Sequence, residues 1–200
     1  MLFRSEHTIR NADGTWQTTG WASPAGSTNI AQAAITALPN GSSQLVAVAT
    51  SGVLEHDIRN ANGTWQGWRT LTQPGDKILD ASIAGMPNGS TQIIEITSTG
   101  VLKHDIRNAN GTWQAAGWAS PAGSTGIAQA AITAMPDGSS QLVAVTTSGK
   151  LEHDTRSANG TWQTTGWGTP TQTDLAAAAT SPAIAGMTDG SAQIIEISTN

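Results

Sequence analysis

Three observations in the sequence predict an all-β protein built from repeated antiparallel sheets. The tetrapeptide Gly-Thr-Trp-Gln occurs four times, with spacings of 49, 48 and 49 residues between its tryptophans. The four histidines of the chain recur with the same spacings. Each repeat divides into four short strand-like segments separated by Asn-Gly, Asp-Gly or Ser-Gly turns. A fixed period of this length is typical of solenoids, propellers and arrays, and four antiparallel strands per repeat favour a β-propeller over a solenoid.

The strands of one repeat are clearest in the unit that ends near Trp118. Residues 78–86 are small and apolar and end in a Pro-Asn-Gly-Ser turn, and residues 92–97 are β-branched, as expected of a buried strand. Residues 101–107 alternate in polarity, and residues 112–118 follow the next Asn-Gly turn as a fourth strand. No segment has the period of a long helix, and residues 175–179 could form a helical turn at most.

The repeats extend over the whole chain, which predicts one propeller domain over residues 1–200 with four units of about 48 residues each. The units end near Trp21, Trp68, Trp118 and Trp167. The sequence starts within a unit, at a predicted third strand (3–10), and stops after a second strand (194–198). These complementary halves of a blade would close a four-bladed ring within one chain or an eight-bladed ring in a homodimer, and the sequence leaves both open.

Composition excludes several classes of function. A net charge of −5 and a pI near 5.1 disfavour a nucleic-acid groove or an anionic membrane surface as partner. The chain has no cysteine and no apolar run of membrane-spanning length, and no signal peptide is visible at its start. We therefore expect a soluble protein without cofactor or metal, in a compartment that the sequence does not identify, with action outside the cell as one possibility.

The tryptophans are the first candidates for a binding site. The chain has eight Trp, one Phe and no Tyr, so each unit carries two Trp. The two are three or five residues apart, an odd number that places them on opposite faces of a regular strand. We expect the first Trp of each pair to pack between blades. The second would stack on a ligand such as a sugar ring, whose C–H face packs on indole; these residues are Trp21, Trp68, Trp118 and Trp167. The alternative, that both Trp of each pair fill space between blades, remains open.

Recurring polar side chains lie near these tryptophans and could bind hydroxyl groups. They are Arg10, Arg59, Arg107, Arg156, His56, His104, His153, Gln66 and Gln114. The histidines lie between apolar neighbours on a strand, so a purely structural role is also open for them. The arginines could instead stack on the tryptophans as cation–π supports.

Two mid-strand carboxylates break the repeat. Glu95 and Glu196 lie where the other two units have Ala47 and Ala144. A buried carboxylate needs a partner, and we expect either an arginine of the next blade or a ligand.

Catalysis is not expected, because an active site needs one asymmetric set of groups and the polar residues here recur in every unit. Equivalent sites on a ring suit weak binding that avidity multiplies. The main alternative is a structural or protein-interaction propeller that binds no sugar, whether it arose by natural duplication or by engineering.

The repeat resembles a known family. The pattern Gly100-x-Leu102-x-His104-x-x-Arg107, followed by Gly111-x-Trp113 and a closing Gly-Trp, resembles the PLL-like bacterial β-propeller lectins and, more loosely, tectonin and tachylectin-type repeats. The resemblance implies a lectin with shallow sites between adjacent blades, often for fucose-like sugars, and no enzymatic activity. Those lectins have seven blades per chain and more aromatic third strands than the segment Leu-Glu-His-Asp-Ile-Arg found here.

Overall fold

The computed structural model describes residues 4–71, 73, 75–170 and 179–198. Within these residues the regular secondary structure consists of strands alone. The strands are β1 (Ile30–Ala37), β2 (Ser43–Ala49), β3 (Leu54–Arg59), β4 (Arg69–Thr70), β5 (Ile78–Gly85), β6 (Thr91–Thr97), β7 (Leu102–Arg107), β8 (Ile127–Ala134), β9 (Ser140–Thr146), β10 (Leu151–Arg156), β11 (Ala179–Gly186) and β12 (Ala192–Ser198). No helix that could span a membrane occurs in this part of the chain.

The strands form four separate antiparallel sheets. Blade 1 has the order β1-β2-β3-β4, blade 2 has β5-β6-β7, blade 3 has β8-β9-β10, and β11 pairs with β12 in a two-stranded inner hairpin. The predicted all-β class is therefore confirmed, and the small sheets follow one another as in a propeller. Ring closure and the number of blades in a ring stay predictions.

Among the described residues, the predicted fourth strand is a regular element only in blade 1. Blade 1 has the two-residue strand β4, whereas blade 2 has only isolated bridges, which pair Arg107 with Trp113 and His104 with Ala119. Between these bridges the Gly117 amide donates to the Gln114 carbonyl at 3.1 Å, and Gly117 has a φ of 60°. A turn with a left-handed glycine interrupts the two-residue alternation of a strand.

Residues 4–28 form an outer hairpin without inner strands of its own. Its bridges pair His7 with Ala22 and Arg10 with Trp16, at the positions that the outer bridges occupy in blade 2. The inner hairpin β11–β12 supplies the opposite half of a blade. Of the predicted helical turn at 175–179, residues 175–178 lie outside the described residues, and Ala179 begins β11.

The core lies between the blades, and blade 2 buries both of its faces. One cluster between blades 1 and 2 contains Val46, Leu54, Ile83 and Ile93. The next cluster, between blades 2 and 3, is built from Ile94, Ile96, Leu102, Ile132 and Leu142. Burial of both faces explains why every residue of β6 is buried and why its sequence lacks polar alternation. A smaller cluster around Val143 and Leu151 contacts Ile184 of the inner hairpin.

Side chains on the innermost strands join successive blades. The Gln32 amide donates to the Ala81 carbonyl at 2.8 Å and accepts from the Ala81 amide at 3.1 Å, and the Gly85 amide donates to Thr36 Oγ1 at 2.8 Å. Equivalent bonds join blade 3 to the inner hairpin, from Ser181 to Gln129 and from Gly186 to Thr133. The innermost strands thus pack in the order β1, β5, β8 and β11 along an arc.

Candidate functional site

Each blade holds a histidine of its third strand against a glutamine of its second. The distance from Nε2 to the glutamine Oε1 is 2.8 Å for His56 with Gln44, 2.9 Å for His104 with Gln92 and 3.1 Å for His153 with Gln141. His56 and His104 are each only 3% exposed. These two buried rings therefore have the structural role that the sequence left open.

Burial also sets the protonation of these rings. Loss of hydration and nearby positive charges together lower the pKa of His56 to about 4 and that of His104 to about 3, and loss of hydration is the larger cause. The charges are those of Arg107 and Arg69 for His56 and that of Arg156 for His104. Both histidines are neutral near pH 7, so Nε2 donates its single proton to the glutamine oxygen.

The first Trp of each pair packs edge-on against the histidine of the preceding unit. The ring centroids are 5.4 Å apart for His7 and Trp65 and 5.9 Å apart for His56 and Trp113. The corresponding distance for His104 and Trp162 is 5.2 Å. The prediction that the first tryptophans pack between blades is confirmed at these three positions.

The prediction that the two tryptophans of a pair lie on opposite faces is wrong. Trp113 and Trp118 both pack against the cluster between blades 1 and 2. Trp162 and Trp167 likewise both pack against the cluster between blades 2 and 3. The turn between the two tryptophans cancels the alternation that their odd spacing implies.

The second tryptophans differ in their surroundings. Trp167 donates from Nε1 to Ser124 Oγ at 3.2 Å, while Trp68 Nε1 is buried and has no hydrogen-bond partner among the described residues. Trp118 is half-buried, and Trp21 is 67% exposed. Trp21 lines a cavity of about 310 Å³ with His7 and Ile35. A ligand could therefore reach the Trp21 indole directly.

The recurrent arginines extend over the hairpin turns of their own blades. A Cβ atom at Gly63, Gly111 or Gly160 would lie 3.0, 3.1 or 2.9 Å from the nearest Nη2 atom, which belongs to Arg59, Arg107 and Arg156 respectively. Glycine at these turns leaves room for the guanidinium group. None of these arginines has an ion pair or a cation–π contact within the described ranges.

Arg107 reaches a polar cavity of about 170 Å³ between blades 1 and 2, here called the blade 1/2 cavity. Blade 1 contributes most of the polar wall, from Asn40, Ser42, Gln44, Asn60 and Gln66. Of the residues that the sequence singled out, the cavity brings together Gln66 and Arg107, and no tryptophan lines it. The sequence analysis did not single out Asn40, Ser42, Gln44 and Asn60. A signal for the first three was present, because the motif Asn/Asp-Gly-Ser-x-Gln recurs at the start of each second strand.

The cavity combines amide dipoles with one unpaired charge. Gln66 Nε2 donates to Asn60 Oδ1 at 2.8 Å, and Ser42 Oγ donates to Asn40 Oδ1 at 2.6 Å. Burial lowers the pKa of Arg107, and the nearby positive charge of Arg69 lowers it further. Arg107 nevertheless stays charged near neutral pH, so its N–H groups can donate to an oxygen-rich ligand.

The other predicted site residues lie outside the blade 1/2 cavity. Arg59 and Arg156 belong to blades 1 and 3, and Gln114 Nε2 donates to the Gly117 carbonyl at 2.9 Å. Arg10 is on the outer hairpin and is exposed. His153 lines a separate cavity of about 330 Å³ with Gln163 and Ile194.

The expected arginine partner of Glu95 is absent. Glu95 is fully buried, and both of its carboxylate oxygens lack a hydrogen-bond partner in the described part of the chain. Burial raises its pKa to about 7, against the opposing effect of the Lys103 charge. Both oxygens of Glu196 are also without a partner there. In the same part of the chain, no group of three His, Asp or Glu side chains is placed to hold a metal ion.

No known family and no curated protein matches the sequence, but solved structures share its fold. The BP39L lectin from Burkholderia pseudomallei is 16% identical and aligns with a TM-score of 0.54, over 79% of this chain and 50% of that one. AofleA from Arthrobotrys oligospora is 15% identical with a TM-score of 0.63, over 98% of this chain and 59% of that one. The chain thus spans half of the BP39L lectin and 59% of AofleA.

Sialidases share the same fold. A variant of the NanB sialidase from Streptococcus pneumoniae is 13% identical, with a TM-score of 0.61 over 96% of this chain and 32% of that one. At such identities the likeness concerns the propeller-like fold alone, and this fold carries both lectins and enzymes. Function must therefore be argued from the side chains.

Proposed function

We propose that this protein is a carbohydrate-binding lectin of the PLL-like type that holds sugars in the cavities between consecutive blades. The observation that carries the proposal is Arg107, a charged guanidinium without an ion pair among the described residues, in a cavity lined by Asn60, Gln66 and other amide or hydroxyl groups. The propeller-like fold shared with the BP39L lectin supports it.

The chemistry of the cavity suits a sugar. A sugar hydroxyl donates and accepts, and the amides of Asn60 and Gln66 do both, whereas Arg107 supplies N–H donors in a rigid plane. The cavity of about 170 Å³ is small and polar, which favours one monosaccharide unit over an extended apolar ligand. We propose fucose-like sugars as the class, following the resemblance of the repeat. No tryptophan lines this cavity, so the second tryptophans, with Trp21 the most exposed, would provide an apolar contact at a separate place.

The repeat extends the proposal to several equivalent sites. At the boundary of blades 2 and 3, Gln92, Asn108, Gln114 and Arg156 are the repeat equivalents of Gln44, Asn60, Gln66 and Arg107. Linked weak sites gain affinity by avidity, by factors of about 10²–10⁴. We propose binding without catalysis, because these groups recur at the blade 1/2 and blade 2/3 boundaries, whereas an active site needs one asymmetric set of groups.

The test is a glycan array with the full 200-residue chain, followed by titration of the best sugar. We expect the double variant Arg107→Gln/Arg156→Gln to lose at least tenfold in affinity, because each guanidinium–hydroxyl contact contributes to a small binding energy. Lys150→Gln is the matched control, since it removes a positive charge that lies outside the cavity and pairs with Glu152. Trp21→Ala tests the apolar contact separately.

Two results would overturn the proposal. A wild-type chain that binds no glycan would favour the structural or protein-interaction propeller. Unchanged sugar affinity in the folded arginine double variant would remove the cavities from the binding site. We also propose that two copies of the 200-residue chain form a homodimer with a closed ring, for which the contacts are given below.

A further inference from the structure

The two ends of the arc expose apolar residues whose equivalents are buried against each other between blades 2 and 3. Ile195 and Ile197 of β12 are 68% and 60% exposed, although Ile94 and Ile96, their equivalents in β6, are 0% and 1% exposed. At the other end Ile35 of β1 is 54% exposed. Its equivalent Ile132 is 5% exposed and packs in the same cluster as Ile94 and Ile96.

We propose that in the 200-residue chain β12 takes up the outer hairpin (residues 4–28) of a second copy, so that two copies close an eight-bladed ring. The register of blade 2 defines the pairing, because the two units are near-copies. Ile94 lies opposite His104 in blade 2, which places Ile195 opposite His7 of the second copy. Each copy gives one outer hairpin and receives one, as two-fold symmetry requires.

The pairing completes two contacts that the single chain lacks. His7 has no glutamine partner among the described residues, and the register gives it Gln193 of the second copy, as His104 has Gln92. Trp16 is 59% exposed. In the ring it would pack edge-on against His153 of the second copy, which makes no ring contact in the described part of the chain.

A cavity marks where the incoming strand would lie. The cavity of about 310 Å³ is bordered by His7 and Trp21 of the outer hairpin and by Ile35 and Leu45 of blade 1. The corresponding space between blades 2 and 3 is filled by Ile94, Ile96 and their neighbours. Strand β12 of the second copy would enter this cavity and bury Ile35 with its own isoleucines.

The partner also completes a polar cavity. Between blade 3 and the inner hairpin, a cavity of about 270 Å³ is lined by Asp137, Ser139, Gln141 and Asp189, the equivalents of Asn40, Ser42, Gln44 and Asn88. It has no arginine among its lining residues. The repeat equivalent of Arg107 at this boundary is Arg10 of the second copy.

Charge favours this arrangement. Two carboxylates, Asp137 and Asp189, occur where the blade 1/2 boundary has asparagines. Hydrogen bonds from Ser139 and Ser191 lower the pKa of Asp137 and Asp189 respectively, so both are charged near neutral pH. An arriving Arg10 guanidinium would therefore meet opposite charge.

A second copy fits better than the same chain. The outer hairpin and β12 lie at opposite ends of the arc, and no hydrogen bond joins them among the described residues. Side-chain hydrogen bonds hold each junction of the innermost strands, from Gln32 and Thr36 at the first, Asp80 and Ser82 at the middle and Gln129 and Thr133 at the last. Joining the two ends within one chain would require the blades to move against these bonds.

The proposed dimer depends only on the pairing of β12 with the outer hairpin. The role of Arg10 in the completed cavity is the one part that rests on the proposed sugar binding. Light scattering after size exclusion is expected to give twice the 20.5 kDa of one chain. Ile195→Asp should reduce the mass to that of one chain, whereas Leu79→Asp, at a similarly exposed site outside the contact, should not. A wild-type mass of 20.5 kDa would overturn the proposal.

Cross-linking distinguishes the two kinds of closure. The register of Glu95 with Lys103 places Glu196 opposite Glu6, and the chain has no cysteine of its own. Oxidised Glu6→Cys/Glu196→Cys is expected to migrate as a disulfide-linked dimer on a non-reducing gel. An internally linked monomer, or no link, would contradict a second-copy partner.

One substitution should strengthen the dimer. Like charges opposite each other on paired strands are unfavourable, so Glu196→Gln is expected to lower the dissociation constant about two- to fivefold. An unchanged or higher constant would contradict the register. These measurements read mass and cross-links, so they succeed or fail independently of sugar binding.

Discussion

Nε2 of His104 lies 2.9 Å from Oε1 of Gln92, and that oxygen also accepts a hydrogen bond from Ser140 of the next blade at 3.0 Å. One buried amide oxygen thus links the second and third strands of blade 2 to blade 3. Gln44 links His56 and Thr91 in the same way. Polar groups as well as apolar side chains therefore hold the blades together.

Removing this histidine should destabilise the fold. His104→Ala is expected to lower the free energy of unfolding by about 2–4 kcal/mol, because it leaves a cavity beside Trp162 and removes a hydrogen bond from buried Gln92. Urea denaturation measures the change. His153→Ala is the matched control, since His153 is half-buried and has a longer bond to Gln141. An equal loss in the two variants would contradict the role assigned to His104.

The buried carboxylate predicts a loss of stability at rising pH. The pKa of Glu95 is raised from 4.5 to about 7, so the folded state holds its proton more tightly than the unfolded state. This contribution is complete below pH 4.5 and is lost as the pH rises through about 7. The full shift corresponds to roughly 3 kcal/mol. Urea denaturation from pH 4.5 to 8 should show this decline in the difference between the wild type and Glu95→Gln, because the buried histidines act in the opposite direction below pH 6.5.

The buried histidines have the opposite dependence, which provides the internal check. Their pKa values are lowered from 6.5 to about 4 for His56 and about 3 for His104, so their stabilising contribution is lost as the pH falls below 6.5. The two pH ranges overlap between 4.5 and 6.5, where two histidines outweigh one glutamate, so the wild type should be most stable near pH 6.5. Glu95→Gln should remove the decline above that maximum and leave the profile below pH 4.5 unchanged. A pH profile that this variant does not alter would contradict the buried, unpartnered Glu95.

A side chain at Gly85, the last residue of β5, should destabilise the fold. A Cβ atom at Gly85 would overlap the Ala37 carbonyl oxygen, which is backbone of the preceding blade and cannot move aside. Gly85→Ala is expected to lower the free energy of unfolding by about 1–3 kcal/mol, as overpacking does. Gly168→Ala is the control, because its nearest neighbour is 3.9 Å away and the equivalent residues are Ala22 and Ala119. Thermal unfolding compares the two, and equal melting temperatures would contradict the close approach.

Repetition made much of this fold predictable. In blade 2 three strands agree with the predicted segments within about two residues, because turn residues and β-branched runs are local signals. The predicted third strand at 3–10 is wrong as a regular strand, because the described part of it has only the isolated bridges of His7 and Arg10. The fourth strand and the faces of the tryptophans were predicted wrongly, because a single left-handed Gly117 changes the direction of the chain between Trp113 and Trp118. Odd spacing determines a face only where the backbone is a regular strand.

For the candidate site, the sequence identified Arg107 and Gln66 but not the walls around them. Asn40, Ser42 and Gln44 come from the beginning of blade 1, far along the chain from Arg107. They meet it only because neighbouring blades pack face to face. The repeat shows that a residue belongs to every unit, but it does not predict which residues of the adjacent blade will line a cavity with it.

The repeating unit, its period, its turns and the all-β class could be predicted from the residues, since these features depend on the propensities of short segments. The buried, supporting role of His56 and His104, the lack of a partner for Glu95 among the described residues and the polar cavity beside Arg107 emerge only in the folded chain. These features could not be predicted because burial and pairing depend on the next blade. The same five residues, Gln-Ile-Ile-Glu-Ile, are buried in β6 and largely exposed in β12, where the described residues include no third strand and no following blade to cover them.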